Sequence, residues 1–200
     1  MPRSIDRTQR RLEVARAAAR LLAAGGPNAV TLRSLADELG GSITLVTHYF
    51  PNRSAIFEAI QELLLMEGVR ELAEISEDLS QTDRLRAFLE WLLPTTIESL
   101  ELERIRVAMV TEADPSLNLR QMVDRWEREM REAISRFVAP LVGRSALPFY
   151  VDLVRVVHNG VALSAVEHPD YWTRERQLAF IDAVVPLIEH TGSALTPRQS

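Results

Sequence analysis

A stretch of small, hydroxyl-bearing and aromatic residues at positions 31–50, TLRSLADELGGSITLVTHYF, carries side chains suited to reading nucleic-acid bases. Val46 and Phe50 are four residues apart, so both fall on one face of a helix. They can pack there on Leu35 and Leu39. The side chains left on the opposite face are those of Thr44, Leu45, Thr47 and His48. Threonine methyls and leucine can contact the methyl group of thymine, and hydroxyls and imidazole can form hydrogen bonds at base edges.

Two short helices joined by a glycine turn must hold this surface in place. Thr31 and Ser42 each precede an apolar helical pattern, and both residue types are preferred N-caps because their side-chain oxygen accepts from a free backbone N–H. Gly40 and Gly41 supply the turn, and the second helix should end near Phe50. This pattern predicts a helix-turn-helix, which lays its second helix in the major groove of duplex DNA. An ordinary helical corner with a solvated surface is the alternative.

Charge is divided unevenly along the chain. The formal net charge of -5 would by itself argue against a polyanionic partner. Residues 1–53, however, hold eight arginines against four acidic residues, whereas residues 54–200 hold fifteen against twenty-four. All 23 basic residues are arginine, whose planar guanidinium suits bidentate pairing with phosphate or guanine. The basic head is therefore compatible with DNA binding.

The stretch from Ala29 to Phe57, which includes THYFPNRSAIF, resembles the DNA-binding domain of the TetR family of bacterial repressors. The resemblance implies base contacts by Arg33, Thr44, Leu45 and His48. It implies phosphate contacts by Thr31, Ser42, Tyr49 and Arg53. The sequence departs from the family pattern at Thr47, where tyrosine is usual, at Thr44, where glycine is common, and at Gly41, which replaces a small aliphatic residue. Thr47 stays in the predicted DNA-binding set, and the architecture is unaffected.

Helical periodicity continues through the rest of the chain, so the predicted fold is all-α with about nine helices. The first helix is predicted from about Ser4 to Ala24 and the fourth from about Arg53 to Glu77. The five that follow are predicted at roughly residues 82–99, 101–113, 117–141, 146–167 and 173–191. We expect a helix-turn-helix DNA-binding domain at residues 1–53 and a helical effector-binding and dimerisation domain at residues 54–200.

The middle helices carry aromatic, methionine and threonine side chains that are candidates for lining a ligand pocket. They are Phe88, Trp91, Leu92, Thr95, Met109, Met122 and Trp126. A stripe of this kind is usually core, so ordinary packing stays open as the alternative. Pro94, predicted inside the helix at 82–99, should kink that helix and free the carbonyl of Glu90. The family resemblance implies an effector cavity among helices 5 to 7.

The last two helices are apolar on more than one side. Their apolar residues include Phe149, Val156, Val157, Phe180, Leu187 and Ile188. A helix that is apolar beyond one stripe needs a second partner. The resemblance implies that these helices pair with their symmetry mates in a homodimer, which would space two recognition helices for a palindromic operator. A monomer that buries both helices internally is the alternative.

No constellation for catalysis or metal binding is recognisable in the sequence. The four histidines lack zinc-ligand spacing, and there is no phosphate loop, nucleophile elbow or cysteine, so we expect no cofactor and no metal. No apolar run approaches the length of a membrane span and no targeting signal is visible, so we expect a cytoplasmic protein without a membrane partner. The predicted function is a TetR-like repressor that a small-molecule effector releases from a palindromic operator on double-stranded DNA. A helical small-molecule-binding enzyme and a dimeric adaptor that does not bind DNA are the alternatives.

Overall fold

The fold is helical throughout the part of the chain that the structure describes. The computed structural model describes the backbone of residues 2–111 and 119–194 and the side chains of residues 8–108, 110 and 120–190. The helices are α1 (Pro2–Gly25), α2 (Leu32–Glu38), α3 (Ile43–Tyr49), α4 (Arg53–Ala73), α5 (Gln81–Leu92), α6 (Ile97–Thr111), α7 (Leu119–Val138), α8 (Leu147–Glu167) and α9 (Arg174–Ala194), with a short 3-10 turn at Pro27–Ala29. The prediction of an all-α fold with about nine helices is confirmed.

α2 and α3 begin at the capping residues that the sequence predicts. Thr31 forms a capping box, in which its Oγ1 accepts from the Ser34 N–H at 3.0 Å and its own N–H donates to Ser34 Oγ at 2.9 Å. Ser42 caps α3, its Oγ accepting from the Leu45 N–H at 3.2 Å. Between the helices, Gly40 has a φ of 59°, the left-handed conformation that commonly ends a helix. Local sequence signals therefore define both helices.

The inner face of α3 is completely buried. Val46 and Phe50 are inaccessible to solvent, and so is Leu35 of α2, whereas Leu39 is half-buried. The neighbouring helices and the turn after α1 contribute further fully buried side chains, among them Val14, Leu22, Val30, Ile56, Phe57 and Ile60. Because burying large apolar side chains drives folding, this core decides which side of α3 faces outward.

The chain divides into two compact units. The first comprises Met1–Glu71 and Arg104–Asp124, and the second comprises Leu72–Glu103 and Arg125–Ser200, each as far as the structure describes them. The first unit includes α4 up to Glu71, because the inner face of that helix is buried at Ile56, Phe57 and Ile60. Compact packing therefore extends beyond residue 53. The predicted division into a DNA-binding domain at residues 1–53 and an effector-binding and dimerisation domain at residues 54–200 stays a prediction.

The predicted C-terminal end of the fifth helix is wrong. α5 ends at Leu92, and Leu93 is extended with φ -90° and ψ 141°, so Pro94 follows the helix and does not kink it. The ring of a proline disfavours helical backbone in the preceding residue, which explains the break. The Glu90 carbonyl is not freed, since it accepts from the Leu93 N–H at 3.1 Å. α6 begins at Ile97 after a short connection.

The second unit has a core of aromatic rings and aliphatic side chains from α5, α7, α8 and α9. Phe88 and Phe137 stack with ring centroids 4.3 Å apart, and Trp91 stacks on Phe88 at 6.1 Å. Buried Gln177 in α9 donates from Nε2 to the carbonyl of Pro94 at 3.0 Å and to that of Trp172 at 2.8 Å. These bonds tie the connection after α5 to α9.

One helix has the length and composition of a membrane span, so the expectation that no apolar run approaches that length is wrong, whereas the absence of a membrane partner stays a prediction. An 18-residue window of α8 has a mean hydropathy of 1.2, and 44% of it is buried. α8 is that apolar because it buries one face in the core while its other side exposes Phe149, Val156 and Leu163. A core helix of a water-soluble protein passes the same test, which makes this weak support for a membrane.

Candidate nucleic-acid interface and ligand recess

The outer face of α3 is open to solvent. Thr44, Thr47 and His48 are exposed, and the His48 ring meets the half-buried Tyr49 edge-on, with centroids 5.1 Å apart. Ile43 is also 47% exposed, although the sequence analysis did not select it. It lies four residues before Thr47, and that helical spacing is the signal that would have found it. The structure thus brings these side chains together on one face.

Leu45 is held differently from its neighbours on α3. It is half-buried, and a Cβ built on Gly41 would lie only 2.9 Å from the Leu45 Cδ2 atom. The glycine therefore provides the space into which the leucine side chain folds back. Thr47 is exposed, and its hydroxyl donates to the Thr44 carbonyl at 3.2 Å.

Arg33, Thr31 and Ser42, the other predicted DNA contacts ahead of α3, are all exposed. The hydroxyls of Thr31 and Ser42 are engaged as helix caps. Phosphate contacts by these two residues stay a prediction from the resemblance. Arg33 projects from the first turn of α2, where its guanidinium is accessible.

Arg53, predicted to grip phosphate, is turned into the first unit. Its Nε donates to the Val30 carbonyl at 2.8 Å and its Nη2 donates to the Pro27 carbonyl. The guanidinium also lies over the Phe57 ring, 5.4 Å from the centroid. Two carbonyls and an aromatic ring hold this guanidinium in place. The geometry therefore favours a role in positioning the chain over a phosphate contact.

The second unit contains an apolar recess formed by α5, the connection after it, α8 and α9. Its lining residues are Leu89, Leu92, Leu93, Val154, Val157, His158, Phe180, Ile181 and Val184. His158 is the one polar side chain among them. Apolar recesses with few polar groups are typical of small-molecule sites. Its volume of about 290 Å³, open solvent included, is just below the usual range of such sites, so the recess is a candidate site for a small ligand only.

His158 connects the recess to a buried polar network. The Arg155 guanidinium is 7% exposed and donates from Nε to Glu127 at 2.8 Å, and from Nη1 to Asn159 Oδ1 and His158 Nδ1, both at 2.7 Å. Because a guanidinium only donates, His158 Nδ1 must accept, which leaves the proton on Nε2, 3.4 Å from a Glu103 carboxylate oxygen. The imidazole is thus fixed in one tautomer beside the recess.

A more exposed ion pair lies next to this network. Arg131 pairs with Asp152 and lies 3.5 Å from Glu127. The hydrogen bond to the Asp152 carboxylate raises the pKa of the Arg131 guanidinium above its usual value. Arg131 therefore stays cationic at physiological pH.

The predicted ligand-lining residues are not gathered at one place. Leu92 lines the recess, whereas Phe88 is fully buried in the aromatic stack. Trp91, Thr95 and Trp126 are half-buried in the second unit and do not line the recess. Met122 is buried in the first unit, where its carbonyl accepts from Gln61 Nε2 at 2.5 Å. The side chain of Met109 lies outside the described residues.

α8 and α9 expose apolar side chains at intervals of seven residues. On α8 these are Phe149, Val156 and Leu163, and on α9 they are Phe180 and Leu187. Repeats of seven place side chains along one stripe of a helix. A Cβ built on Gly160, within the α8 stripe, meets no atom within 4 Å. Both helices thus present an apolar outer stripe in addition to the face buried in the core.

Two family profiles match the chain. Residues 14–60 match the profile described as bacterial regulatory proteins of the tetR family. Residues 81–188 match the profile of the C-terminal domain of BetI-type transcriptional repressors. The first match covers the helix-turn-helix described above, and the second covers α5 to α9 up to Ile188.

Individual proteins show the same likeness. An uncharacterized HTH-type transcriptional regulator from the dhlA 5' region of Xanthobacter autotrophicus is 26% identical over 168 residues, 82% of each chain. A transcriptional regulator from Rhodococcus sp. Rha1 superimposes with a TM-score of 0.79 at 21% identity, covering 88% of this chain and 94% of its own. A regulator from Saccharomonospora viridis, solved in complex with choline, has a TM-score of 0.72 at 19% identity, covering 90% and 96%. At identities of 21% and 19%, the solved structures show similarity of fold alone.

Proposed function

Because this chain belongs to the TetR family of bacterial regulatory proteins, whose members bind DNA and small molecules, we propose that it is a ligand-controlled repressor. It binds a palindromic operator as a homodimer and leaves the operator when a small molecule binds its C-terminal part. The outer face of α3, on which Thr44, Thr47 and His48 are exposed, is the observation that carries this proposal. An interior position for these side chains would have ruled it out.

The contacts proposed for DNA fall into two kinds. Arg33, Thr44, Leu45, Thr47 and His48 contact base edges. Thr31, Ser42 and Tyr49 contact the phosphate backbone. Contacts of the first kind select sequence, and those of the second kind set position and orientation on the duplex.

The homodimer is proposed to form through α8 and α9. Its support is the pair of exposed apolar stripes, since a monomer would leave Val156, at 68% exposure, and Leu187 in water. Glycine at position 160 leaves room for a second helix to approach closely. Two-fold pairing of these helices would present two recognition helices to two half-sites of an operator.

A pair of matched variants tests the dimer. Val156→Glu places a charge on the α8 stripe, and Val69→Glu places the same charge at another valine that is 68% exposed, on α4. We expect Val156→Glu to yield monomers in sedimentation velocity and to lose operator affinity, with Val69→Glu remaining dimeric. Dimers of unchanged stability in both variants would show that this stripe is not the interface.

DNA binding itself is tested by selecting bound sites from random duplexes with the full chain. We expect the recovered sites to be palindromic, and the affinity for them to fall steeply with salt because arginine–phosphate contacts release counterions. If no duplex is enriched even at low salt, the repressor proposal fails and a dimeric adaptor takes its place. Membership of a family of transcriptional regulators already argues against the enzyme alternative.

The effector is proposed to bind at the apolar recess beside His158. Choline is the first compound to test, because the Saccharomonospora viridis regulator was solved with it. The effector is proposed to shift the population of dimers toward a state whose DNA-binding heads no longer fit the operator. The size of this shift is limited by the difference between the effector's affinities for the fitting and the non-fitting state.

As a repressor of bacterial genes, the protein acts in the cytoplasm.

Variants that fill the recess test its role. Leu92→Trp, at a position that lines the recess, should leave operator binding intact and abolish release by the effector found in a metabolite screen. Leu102→Trp, at an exposed position of α6, is the control and should respond normally. Normal release from Leu92→Trp would place the effector elsewhere.

A further inference from the structure

The recognition helix offers few hydrogen-bonding groups to a DNA groove. α3 consists of seven residues, Ile43–Tyr49, and contains no arginine, asparagine, glutamine, aspartate or glutamate. Those are the side chains that identify guanine, adenine or cytosine through bidentate or directed hydrogen bonds in the major groove. On the exposed face, His48 carries the single ring that can form such bonds. The remaining chemistry of that face is aliphatic or hydroxyl.

The exposed face of α3 presents methyl groups more than free hydroxyl hydrogens. The Thr47 hydroxyl donates its hydrogen to the Thr44 carbonyl at 3.2 Å, so that hydrogen is used within the helix. The γ-methyl group is then the part of Thr47 that a groove floor meets. Beside it, Ile43 is 47% exposed, and Leu45 folds back over Gly41 with part of its surface accessible. The face is therefore rich in methyl groups.

A methyl-rich face has one apolar counterpart in the major groove, which is the C5-methyl group of thymine. Resting on the proposed function, we infer that α3 selects its half-site by burying thymine methyl groups against Ile43, Thr47 and the accessible part of Leu45. Ile43 becomes a specificity-determining residue in this account. The Ile43 side chain is exposed in the free protein and becomes buried in the complex, because its contact with thymine removes both the side chain and the thymine methyl group from water.

Replacing thymine by deoxyuridine isolates this contact, since it removes the methyl group and keeps every hydrogen bond of the base pair. The full chain is titrated against its selected duplex, in which the thymines of the half-sites are changed to deoxyuridine one at a time. We expect the affinity to fall by about fourfold at each contacted thymine, the cost of leaving one methyl group unburied. Deoxyuridine outside the half-sites is the control and should have no effect.

A variant assigns the contact to a residue. Ile43→Ala should bind the natural duplex more weakly and should lose the penalty for deoxyuridine at one thymine, while the penalties at the other positions persist. If the selected duplex binds equally well with every half-site thymine replaced, this inference is overturned and the proposed function stands. If no duplex is bound at all, both are overturned.

Discussion

The guanidinium of Arg53 reaches from the first residue of α4 back to the carbonyl of Val30, with Nε donating across 2.8 Å. The same side chain also bonds the Pro27 carbonyl and lies against Phe57. The segment that it holds leads directly into Thr31, the N-cap of α2. Arg53 thus links the start of α4 to the start of the helix-turn-helix.

Replacing Arg53 with alanine should therefore affect folding before it affects DNA contacts. Loss of charged hydrogen bonds to partly buried carbonyls should lower the free energy of unfolding by about 1–3 kcal/mol. Affinity for all duplexes should fall alike, with no change in the slope of log K against log salt. Arg33→Ala is the control and should unfold like the parent while losing discrimination at one base position. A salt slope reduced by about one, with an unchanged Tm, would instead mark Arg53 as a phosphate contact.

Alanine substitution should have different effects at the two adjacent glycines of the turn. Gly40 has a φ of 59° and open space around it, so Gly40→Ala should strain the backbone and cost about 1 kcal/mol of stability. In Gly41→Ala the new Cβ meets the flexible end of Leu45, which can move, so stability should change little and sequence preference should change. Thermal melts and a comparison of selected DNA sites check both. Identical effects of the two variants would contradict this explanation.

Two capping boxes of the same composition allow stability and DNA binding to be separated. Thr31 pairs with Ser34 ahead of α2, and Thr96 pairs in the same way with Ser99 ahead of α6, its Oγ1 accepting from the Ser99 N–H at 3.1 Å. Thr31→Ala and Thr96→Ala should each cost about 1 kcal/mol in chemical denaturation, because each leaves a helix N-terminus uncapped. We expect weaker operator binding in Thr31→Ala alone. Equal weakening in both would argue against a local role for α2 in DNA binding.

The polar network beside the recess should contribute to the stability of the second unit. Arg155→Ala would leave His158 Nδ1 buried without its donor, and we expect a loss of about 2–3 kcal/mol, below the cost of breaking a fully buried ion pair because Glu127 is partly exposed. Arg131→Ala removes a solvent-accessible ion pair and should cost less than about 1 kcal/mol. Urea titrations of both variants make the comparison. Equal losses would mean that burial of Arg155 contributes nothing.

The helix-turn-helix was predictable because its signals are local. The caps Thr31 and Ser42, the glycine turn and the buried pair Val46 and Phe50 all lie within twenty residues, so their spacing alone defines two helices and an inner face. The same pattern contains Ile43, which follows from helical spacing once the exposed face is drawn in full.

Contacts between distant residues were not predictable in this way. The recess brings Leu92 together with Val154 and Phe180, and Arg53 donates to the carbonyls of Val30 and Pro27. No sequence pattern marks these residues as neighbours. The break at Pro94 was misjudged because an apolar pattern on both sides of a proline is compatible with a kinked helix as well as with two helices.

The most direct test of the central claim compares two double variants in a fluorescence anisotropy titration on the selected palindromic duplex. Thr44→Ala/His48→Ala removes exposed side chains of the α3 face, and His168→Ala/Thr173→Ala removes the same residue types from exposed positions in the second unit. We predict that the α3 variant keeps its fold and loses sequence-selective binding, while the other variant binds like the parent. Parental affinity and selectivity in the α3 variant would contradict the assignment of this face to DNA.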